Sequence, residues 1–347
     1  MIESPLTLHP SPTGGEGSLP VLSVVVIGRN EGERLVRCLE SARTMADPGG
    51  PVELIYVDSA STDGSPERAA ALGARVITVR PERPSAALGR NAGWRAARAP
   101  LVLFLDGDTI LHPRFVADSL PEFEDPGVAV VWGHRRELHP DASWYNRVLD
   151  LDWIYPPGPS EFCGGDAIMR RDALTEVDGF DASLIAGEEP DLCRRLRARG
   201  YHILHVDRPM TGHDLAITRW RQYWRRAVRA GHAYAEVAAR FRRTETPLWE
   251  REVRRNRIHG GILILSLPLG IGGALVGQPL VPLLVLGSWL ALTVRTALRV
   301  GWKSRDPWTR LLYGIHSHLQ QIPILVGQLG YYRDRWRGQR RGLIEYK

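Results

Sequence analysis

The stretch PLVLFLDGDTIL, residues 100–111, contains an apolar run, LVLFLD at 101–106, whose last residue, Asp106, is followed by Gly107 and a second carboxylate, Asp108. An uninterrupted apolar run of this length predicts a strand that is buried on both faces of a sheet. Three similar runs precede it, at residues 21–27, 52–59 and 74–80. Because helical patterns lie between these runs, the order predicts an α/β fold. Its Rossmann-like sheet is mixed but mainly parallel, with helices on both faces.

Polar side chains follow three of the predicted strands. Asn30, Asp58 and Asp106 lie at or just past the carboxyl ends of strands, where the sheets of such folds bind ligands, so their loops are expected to line one crevice. Two carboxylates at positions i and i+2 suit a hard cation such as Mg²⁺ or Mn²⁺, which can bridge to a diphosphate. Gly107 lets the backbone turn tightly between them. The alternative is that Asp106 and Asp108 only end the strand and cap a following helix.

Three neighbouring residues have both a functional and a purely structural interpretation. Asp58 is placed to accept hydrogen bonds from a nucleobase, or it caps a helix. Arg90 is placed to face a phosphate, or it forms an ion pair at the surface. Glu31 belongs to the loop after the first strand, or it is a first-turn acid that interacts favourably with a helix dipole.

The composition restricts the classes of function. The chain has 347 residues and a net charge of +6, mostly from arginine, which favours an anionic ligand or a lipid surface. The cysteines Cys38, Cys163 and Cys193 have no C-x-x-C spacing, so we expect a reducing compartment without a zinc site or a disulfide framework. No G-x-G-x-x-G follows the first strand and no G-x-x-x-x-G-K-[ST] occurs, which argues against dinucleotide-dependent dehydrogenases and P-loop nucleotidases.

The sequence changes character after residue 214. Residues 258–294 contain no Asp, Glu, Lys or Arg, and a Gly-Gln-Pro break at 277–279 divides them into two apolar arms near the minimum length of a membrane span. Arginines flank both ends, which favours a spanning or re-entrant hairpin with both ends in the cytoplasm. The predicted organisation is a flexible leader at 1–19, a catalytic domain at 20–214, basic amphipathic interfacial helices at 215–257, the hairpin at 258–298, and an interfacial helix with a basic tail at 299–347.

Five segments, taken in their order, resemble the motifs of family 2 glycosyltransferases, which have the GT-A fold. The segments are VVVIGRNEGERLVRCLES, LIYVDSASTDGS, GRNAGWRAARAPLVLFLDGDT, CGGDAIMRRDALTEVDGFD and GEEPDLCRRLRARGY. The resemblance covers about residues 20–214. It implies a nucleotide-sugar donor, with a UDP-sugar favoured, a Mn²⁺ or Mg²⁺ cofactor, and inversion at the anomeric carbon.

The resemblance also implies roles for residues at matching positions. The donor-binding residues are expected to be Asn30, Glu31, Asp58, Asp106, Gly107 and Asp108, joined by Arg90 because of its position after the third strand. The metal is expected at Asp106, Asp108 and His213. Gly164 and Gly165 are expected to let the acceptor approach the backbone. The base is left open among Glu188, Glu189 and Asp191, with Glu189 at the usual position. Ser59 departs from the family pattern, which often has a second acid there.

The basic flanks and the apolar hairpin indicate where such a transfer would take place. We expect a sugar to move to a lipid-borne or glycan acceptor at the cytoplasmic face of the inner membrane, as in the synthesis of cell-envelope glycans, without a nucleic-acid partner. Two alternatives remain open from the sequence. One is a nucleotidyl or phosphosugar transferase that uses the same metal and diphosphate chemistry. The other is a catalytically dead module that binds the membrane periphery.

Overall fold

The chain folds into two compact units. The structure, a computed structural model, describes residues 7–8, 19–245 and 247–339. The first unit comprises Met1–Leu138 and Trp153–Leu215, and the second comprises His139–Asp152 and Ala216–Lys347. Residues 139–152, which the sequence places within the catalytic domain at 20–214, belong to the second unit, where Asp152 is bound to Tyr313 and His316.

One sheet organises the first unit. Its strands are β1 (Thr7–Leu8), β2 (Leu22–Gly28), β3 (Val52–Asp58), β4 (Arg75–Thr78), β5 (Leu101–Asp106), β6 (Thr109–Leu111), β7 (Val128–Glu137), β8 (Gly158–Pro159), β9 (Ala167–Arg170) and β10 (His202–His213). The strand order is β1-β4-β3-β2-β5-β9-β7-β10-β6, and β8 pairs with β10. The strands β2 to β5 run parallel, whereas β9 is antiparallel to both of its neighbours. The predicted mixed α/β fold is confirmed.

The predicted leader does not lie wholly outside the sheet. Thr7 and Leu8 form β1, which pairs antiparallel with β4. The other leader residues, apart from Leu19, lie outside the described part of the chain, as does the basic tail from residue 340.

Helices cover the sheet and build the second unit. They are α1 (Glu33–Arg43), α2 (Ser65–Ala71), α3 (Ala86–Ala96), α4 (Phe115–Ser119), α5 (Trp144–Asp152), α6 (Arg171–Glu176), α7 (Glu188–Ala198), α8 (Trp220–Phe241), α9 (Glu250–Leu275), α10 (Leu280–Arg299), α11 (Pro307–Leu319) and α12 (Gln321–Trp336). Helix α5 and helices α8 to α12 belong to the second unit. The region 299–347 thus contains two helices where one was expected.

Helix α3 lies unusually close to the sheet because glycines face it. A Cβ on Gly93 would overlap the side chain of Val25, and one on Gly89 would lie 3.3 Å from Ile27. The hydroxyl of Ser85 accepts a hydrogen bond from the N–H of Leu88 and fixes where the helix begins. This close packing brings the residue after Gly89, Arg90, to the carboxyl ends of the strands.

Two helices of the second unit are long and apolar enough to cross a membrane. Helix α9 has 26 residues and α10 has 20, and 17% and 6% of their most apolar windows are buried. Gly277, with φ of 71°, turns the chain between them. The sequence predicts that the hairpin spans 258–298. Its first helix, α9, begins before residue 258, at Glu250.

Small residues bring the helices of the second unit close together. A Cβ on Gly231 of α8 would overlap the carbonyl oxygen of Ile324 on α12, and one on Gly327 of α12 would overlap that of Val228 on α8. Close approach through small residues is typical of helices that associate within membranes.

Candidate active site

The predicted crevice lies where β2, β3 and β5 end. In the register of the sheet Gly28 pairs with Asp58, and Ile27 pairs with Asp106, so both aspartates reach the same edge. The loops that follow β2 and β3 are hydrogen-bonded to each other. The N–H of Thr62 donates to Asn30 Oδ1 at 2.8 Å, and Asn30, at a φ of 55°, adopts a left-handed conformation that asparagine tolerates.

Asp58 and Glu31 hold the shape of these loops. The Asp58 side chain is 1% exposed, and it accepts hydrogen bonds from the Tyr56 hydroxyl and from the N–H of Ser61. It does not cap α2, whose N-cap position is Gly64. Glu31 forms an ion pair with Arg34 at 2.9 Å, and its Cγ lies 3.3 Å from where a Cβ on Gly107 would be. Both acids therefore help to fix the loops that follow β2 and β3.

Arg90 joins the donor side of the predicted site to its acidic motif. Its guanidinium lies 2.9 Å from Asp106 Oδ1 and 3.0 Å from an oxygen of Glu188 and of Glu189, although the residue is only 2% exposed. Burial alone would lower the pKa of Arg90, but the surrounding carboxylates, Glu189 first, raise it above its usual value. The expected contact of Arg90 with a phosphate stays a prediction, but Arg90 is not a surface ion pair. It is a buried cation shared by three acids.

The three predicted metal ligands are only partly brought together. His213 Nε2 lies 3.3 Å from Asp108 Oδ2, whereas the Asp106 carboxylate binds Arg90 and Arg135. Among the described residues no group of three or more acidic, histidine or cysteine side chains is arranged to hold a metal. The carboxylate of Asp108 and the imidazole of His213 are nonetheless donors that Mn²⁺ accepts, so this pair fits a divalent cation.

Backbone pairing fixes the two halves of that pair. His213 does not follow the last strand, as expected, but is its final residue, and it pairs with Thr109 of β6. The N–H of Asp214 donates to the carbonyl of Asp108 at 3.0 Å, and the N–H of Gly107 donates to the carbonyl of Ile27 at 2.8 Å. The D-G-D turn is thus held at both sides by main-chain hydrogen bonds.

The acids of α7 occupy different surroundings. Asp191 is bound by Arg195 at 2.8 Å, and the same arginine donates to the carbonyls of Val177 and Gly179, which indicates a structural role. Glu189 is different, because burial and then the charge of Glu188 raise its pKa to about 7, against the opposing effect of Arg90. A carboxylate with a pKa near neutrality is well matched to general-base chemistry.

The two predicted acceptor glycines are not equivalent. A Cβ on Gly165 would lie 2.6 Å from Arg90 Nη2 and 3.0 Å from Asp106 Oδ2, whereas a Cβ on Gly164 would have nothing within 4 Å. Gly165 therefore lies directly against the ion pair, and Gly164 faces open space. Cys163, which precedes Gly164, has its sulfur 3.6 Å from that of Cys193 on α7, and both cysteines are free thiols.

Two functional candidates, Arg135 and Asp166, were not found from the sequence. Arg135 lies 3.4 Å from Asp106 Oδ2 and 3.6 Å from Asp166 Oδ2, and Asp166 accepts hydrogen bonds from the N–H of Asp106 and the hydroxyl of Thr211. The Arg135 guanidinium also stacks 5.1 Å from the ring centre of Trp153. Asp166 had a signal, because it ends the C-G-G-D motif. Arg135 had none, because the apolar pattern of its strand stops at Gly133.

Comparison with known proteins places these motifs in a family. A model of glycosyl transferase family group 2 matches residues 101–319, more than half of the chain, and a model of glycosyl transferase family 2 matches residues 23–177. The chain is 24% identical to glycosyltransferase AglE of Haloferax volcanii over 54% of its length, and 28% identical to the pre-mycofactocin glycosyltransferase of Mycobacterium tuberculosis over 77% of its length. It spans only 64% and 56% of those two proteins.

A third relative and one solved structure match more evenly. The N-acetylglucosaminyltransferase of Sinorhizobium fredii is 24% identical, with 88% of this chain and 74% of that protein aligned. The mannosyltransferase of Pyrobaculum calidifontis, solved with GDP-Man and Mn²⁺, superimposes with a TM-score of 0.64 over 94% of this chain and 91% of that one, at 19% identity. The latter likeness shows the GT-A fold. With the family models, these matches show that the chain belongs to glycosyltransferase family 2.

Proposed function

We propose that this chain is an inverting, metal-dependent glycosyltransferase. It moves a sugar from a nucleotide diphosphate sugar to a hydroxyl of a lipid-borne or glycan acceptor at the cytoplasmic face of the membrane. The observation that carries the proposal is the position of Arg90, which binds the first aspartate of the D-G-D turn and both glutamates of α7 within 3.0 Å. This arrangement supports a site in which the donor diphosphate and the acceptor base lie close together.

The donor side is formed by the loops after β2 and β3 and by the D-G-D turn. Asp108 and His213 would hold the divalent cation, which when bound supplies positive charge that stabilises the departing diphosphate. Asp106, anchored by Arg90 and Arg135, would orient the nucleotide. Arg135 adds a further positive charge close to where the negative charge of the leaving group develops.

The acceptor side uses Glu189 as its base. The acceptor oxygen attacks the anomeric carbon while the bond from that carbon to the diphosphate oxygen breaks, and the acceptor proton passes to the Glu189 carboxylate. Attack from the face opposite the leaving group inverts the configuration. Arg90 acts as a positioning residue, since it holds the Glu188 and Glu189 carboxylates through 3.0 Å ion pairs.

The membrane part of the proposal rests on the second unit. Large apolar side chains are exposed along α9 and α10, for example Leu265 at 69% and Leu284 at 72%. Contiguous exposed apolar surface of this kind marks a membrane or a protein interface. Arginines at both ends of the helical pair favour a cytoplasmic location for the catalytic unit. This supports a lipid-borne acceptor over a soluble one.

The proposal can be tested with the full-length protein in bacterial membranes. Membranes that contain the chain are incubated with radiolabelled UDP- and GDP-sugars and Mn²⁺, and we expect label in the organic-solvent extract that disappears on chelation with EDTA. D108N and E189Q should lose the activity, whereas D118N, at a partly exposed position of α4, should retain it. The anomeric configuration of the product, measured by NMR, should be opposite to that of the donor.

Four results would each contradict a part of the proposal. Retained configuration would exclude inversion, and label only in water-soluble glycan would exclude the lipid acceptor. Release of pyrophosphate, instead of a nucleoside diphosphate, would indicate a nucleotidyl transferase. Full activity of E189Q would exclude Glu189 as the base.

A further inference from the structure

The second unit contains a cleft lined by six arginines, which we name the arginine cleft. It has a volume of about 970 Å³ and lies among the end of α8, the first turns of α9 and the end of α12. The arginines are Arg240, Arg242, Arg243, Arg254, Arg257 and Arg335. Glu250 supplies the one carboxylate among the residues that line it. The lining therefore carries five more positive than negative charges.

Some of these arginines are held by neighbours and others are available to a ligand. Arg240 pairs with Glu236 at 3.4 Å, and Arg257 stacks 5.2 Å from the ring centre of Tyr332. Within the described part of the chain, no carboxylate lies within salt-bridge distance of Arg243 or Arg254. Like charges held together repel each other, so such a cluster is stabilised when it binds an anion.

The cleft continues into an apolar surface. Ile258 of α9 lines it, next to Arg257, and one and two turns further along the same helix Ile262 and Leu265 are 61% and 69% exposed. A ligand that matches both features has an anionic head and a hydrocarbon tail. Guanidinium groups bind phosphate through paired hydrogen bonds, which makes a phosphate the best-fitting head.

We propose that the arginine cleft binds the phosphate head group of an anionic lipid, with the hydrocarbon chain lying along the exposed side of α9. The inference rests on the membrane attachment proposed above and not on the sugar transfer. A polynucleotide also carries phosphates, but it offers nothing for the apolar side of α9. An anionic lipid accounts both for the arginine cleft and for the exposed apolar side of α9.

The test measures binding of short-chain lipids to the full-length protein in a nonionic detergent. Dioctanoyl phosphatidic acid should bind, and dioctanoyl phosphatidylcholine, with the same tails, should bind at least about tenfold more weakly. Glycerol phosphate, which has the head group without the tails, should also bind more weakly than phosphatidic acid, and the affinity should fall as salt is added.

A pair of matched variants locates the site. R243E/R254E reverses two charges in the cleft and should weaken binding of phosphatidic acid at least about tenfold. R251E/R255E makes the same change of net charge on exposed positions of α9 that do not line the cleft, and it should leave binding within about twofold of the native protein. Thermal unfolding of both variants checks that the fold is retained.

Several outcomes would overturn the inference. The inference fails if R243E/R254E and R251E/R255E lose equal affinity for phosphatidic acid. It also fails if glycerol phosphate binds as tightly as phosphatidic acid, or if a short RNA binds more tightly than phosphatidic acid. The catalytic variant D108N should still bind the lipid. If R243E/R254E binds the lipid normally while the native protein transfers sugar, the cleft assignment fails and the proposed function stands.

Discussion

Arg90 is surrounded by more negative charge than it can neutralise. Three carboxylates, those of Asp106, Glu188 and Glu189, lie within 3.0 Å of its guanidinium. Removing one partner from a buried ion cluster leaves the other charges without compensation, which costs more free energy than an exposed pair contributes. The side chain is therefore expected to determine both the stability of the first unit and the ionisation of its acids.

We expect R90A to lower the free energy of unfolding by about 3–5 kcal/mol at pH 8. The loss should be smaller at pH 5.5, because the acids that lose Arg90 can then take up protons. Urea titration of the full chain in detergent, followed by tryptophan fluorescence, measures both values. R95A, on the same helix and paired with the largely exposed Asp178, should cost no more than about 1 kcal/mol. Equal costs for the two variants would show that the cluster does not stabilise the unit.

The raised pKa of Glu189 sets an expected pH profile. A base must be ionised to accept a proton, and burial and Glu188 raise the pKa of Glu189 to about 7. The value of kcat/KM should therefore fall about tenfold for each pH unit below 7 and level off above it. Initial rates between pH 5.5 and 8.5 test this, with D118N as a control of unchanged profile. If the midpoint of the pH profile lies near the usual pKa of a carboxylate, the group that accepts the acceptor's proton is not Glu189.

The raised pKa of Glu189 also affects stability, which should fall as the pH rises, whereas activity should increase. Because the folded-state pKa of Glu189 lies above that of an unfolded glutamate, the folded chain binds this proton more tightly, and stability is lost as the pH rises through about 7. E189Q cannot ionise, so its melting temperature should exceed that of the native protein by a few degrees at pH 8 and by much less at pH 4.5, where the carboxyl is largely protonated in the folded state and about half protonated in the unfolded state. A variant that melts lower at both values would contradict this.

Gly165 and Gly164 offer a test of the packing against Arg90. Neither has a positive φ, so alanine is tolerated by the backbone at both positions. In G165A the new Cβ would displace Arg90 Nη2 and Asp106 Oδ2, and activity should fall roughly 10- to 100-fold, as expected for misplaced catalytic groups. G164A adds its Cβ to open space and should stay within about threefold of the native rate. Similar losses of activity in G164A and G165A would indicate that both glycines contact the acceptor and that the ion pair of Arg90 and Asp106 is not the cause.

At the scale of the elements, the strands that end at the crevice could be predicted because each is an uninterrupted apolar run. The predicted strand 101–106 coincides with β5. In contrast, β7 and β10 continue beyond their apolar cores to Glu137 and His213, since pairing with neighbouring strands, not hydrophobicity, extends them. Arg135 lies in such an extension, which explains why its role had no signal in the sequence.

The ion cluster could not be predicted for a different reason. Arg90 and Glu189 are almost a hundred residues apart in the chain, and their contact depends on how closely α3 packs on the sheet. That distance is set by Gly89 and Gly93, whose spacing also occurs in ordinary helices. The sequence pattern places Arg90 and Glu189 near the predicted crevice. Only the packed structure shows that they form an ion pair.

The close packing of α8 and α12 leads to a prediction about the stability of the second unit. A Cβ on Gly327 would overlap the carbonyl oxygen of Val228 and lie 2.9 Å from the N–H nitrogen of His232. We expect G327A to lower the free energy of unfolding of the second unit by about 1–3 kcal/mol, as overpacking does. G261A, on α9, has nothing within 4 Å of its new Cβ and should not destabilise. Thermal unfolding in detergent distinguishes the two.

At the scale of the whole molecule, α9 and α10 predict an integral membrane protein. The native chain should remain in the membrane pellet after a carbonate wash at high pH. L265D/L284D places two charges on exposed apolar positions, each costing about 2.5–3.5 kcal/mol at the centre of a bilayer, and should release a large fraction of the protein. L265A/L284A keeps the surface apolar and should stay in the pellet. Native protein in the wash would show peripheral attachment.

The strand order divides the crevice between two blocks of sequence. The loops after β2, β3 and β5 come from the first 108 residues, whereas α7 and the end of β10 come from after residue 187. Under the proposed function the first block selects the nucleotide and the second selects the acceptor, and Arg90 forms ion pairs with acids of both blocks. Grafting the first block onto a related enzyme should transfer donor choice alone, provided that the recipient enzyme has acids at the positions of Glu188 and Glu189 to pair with the grafted Arg90.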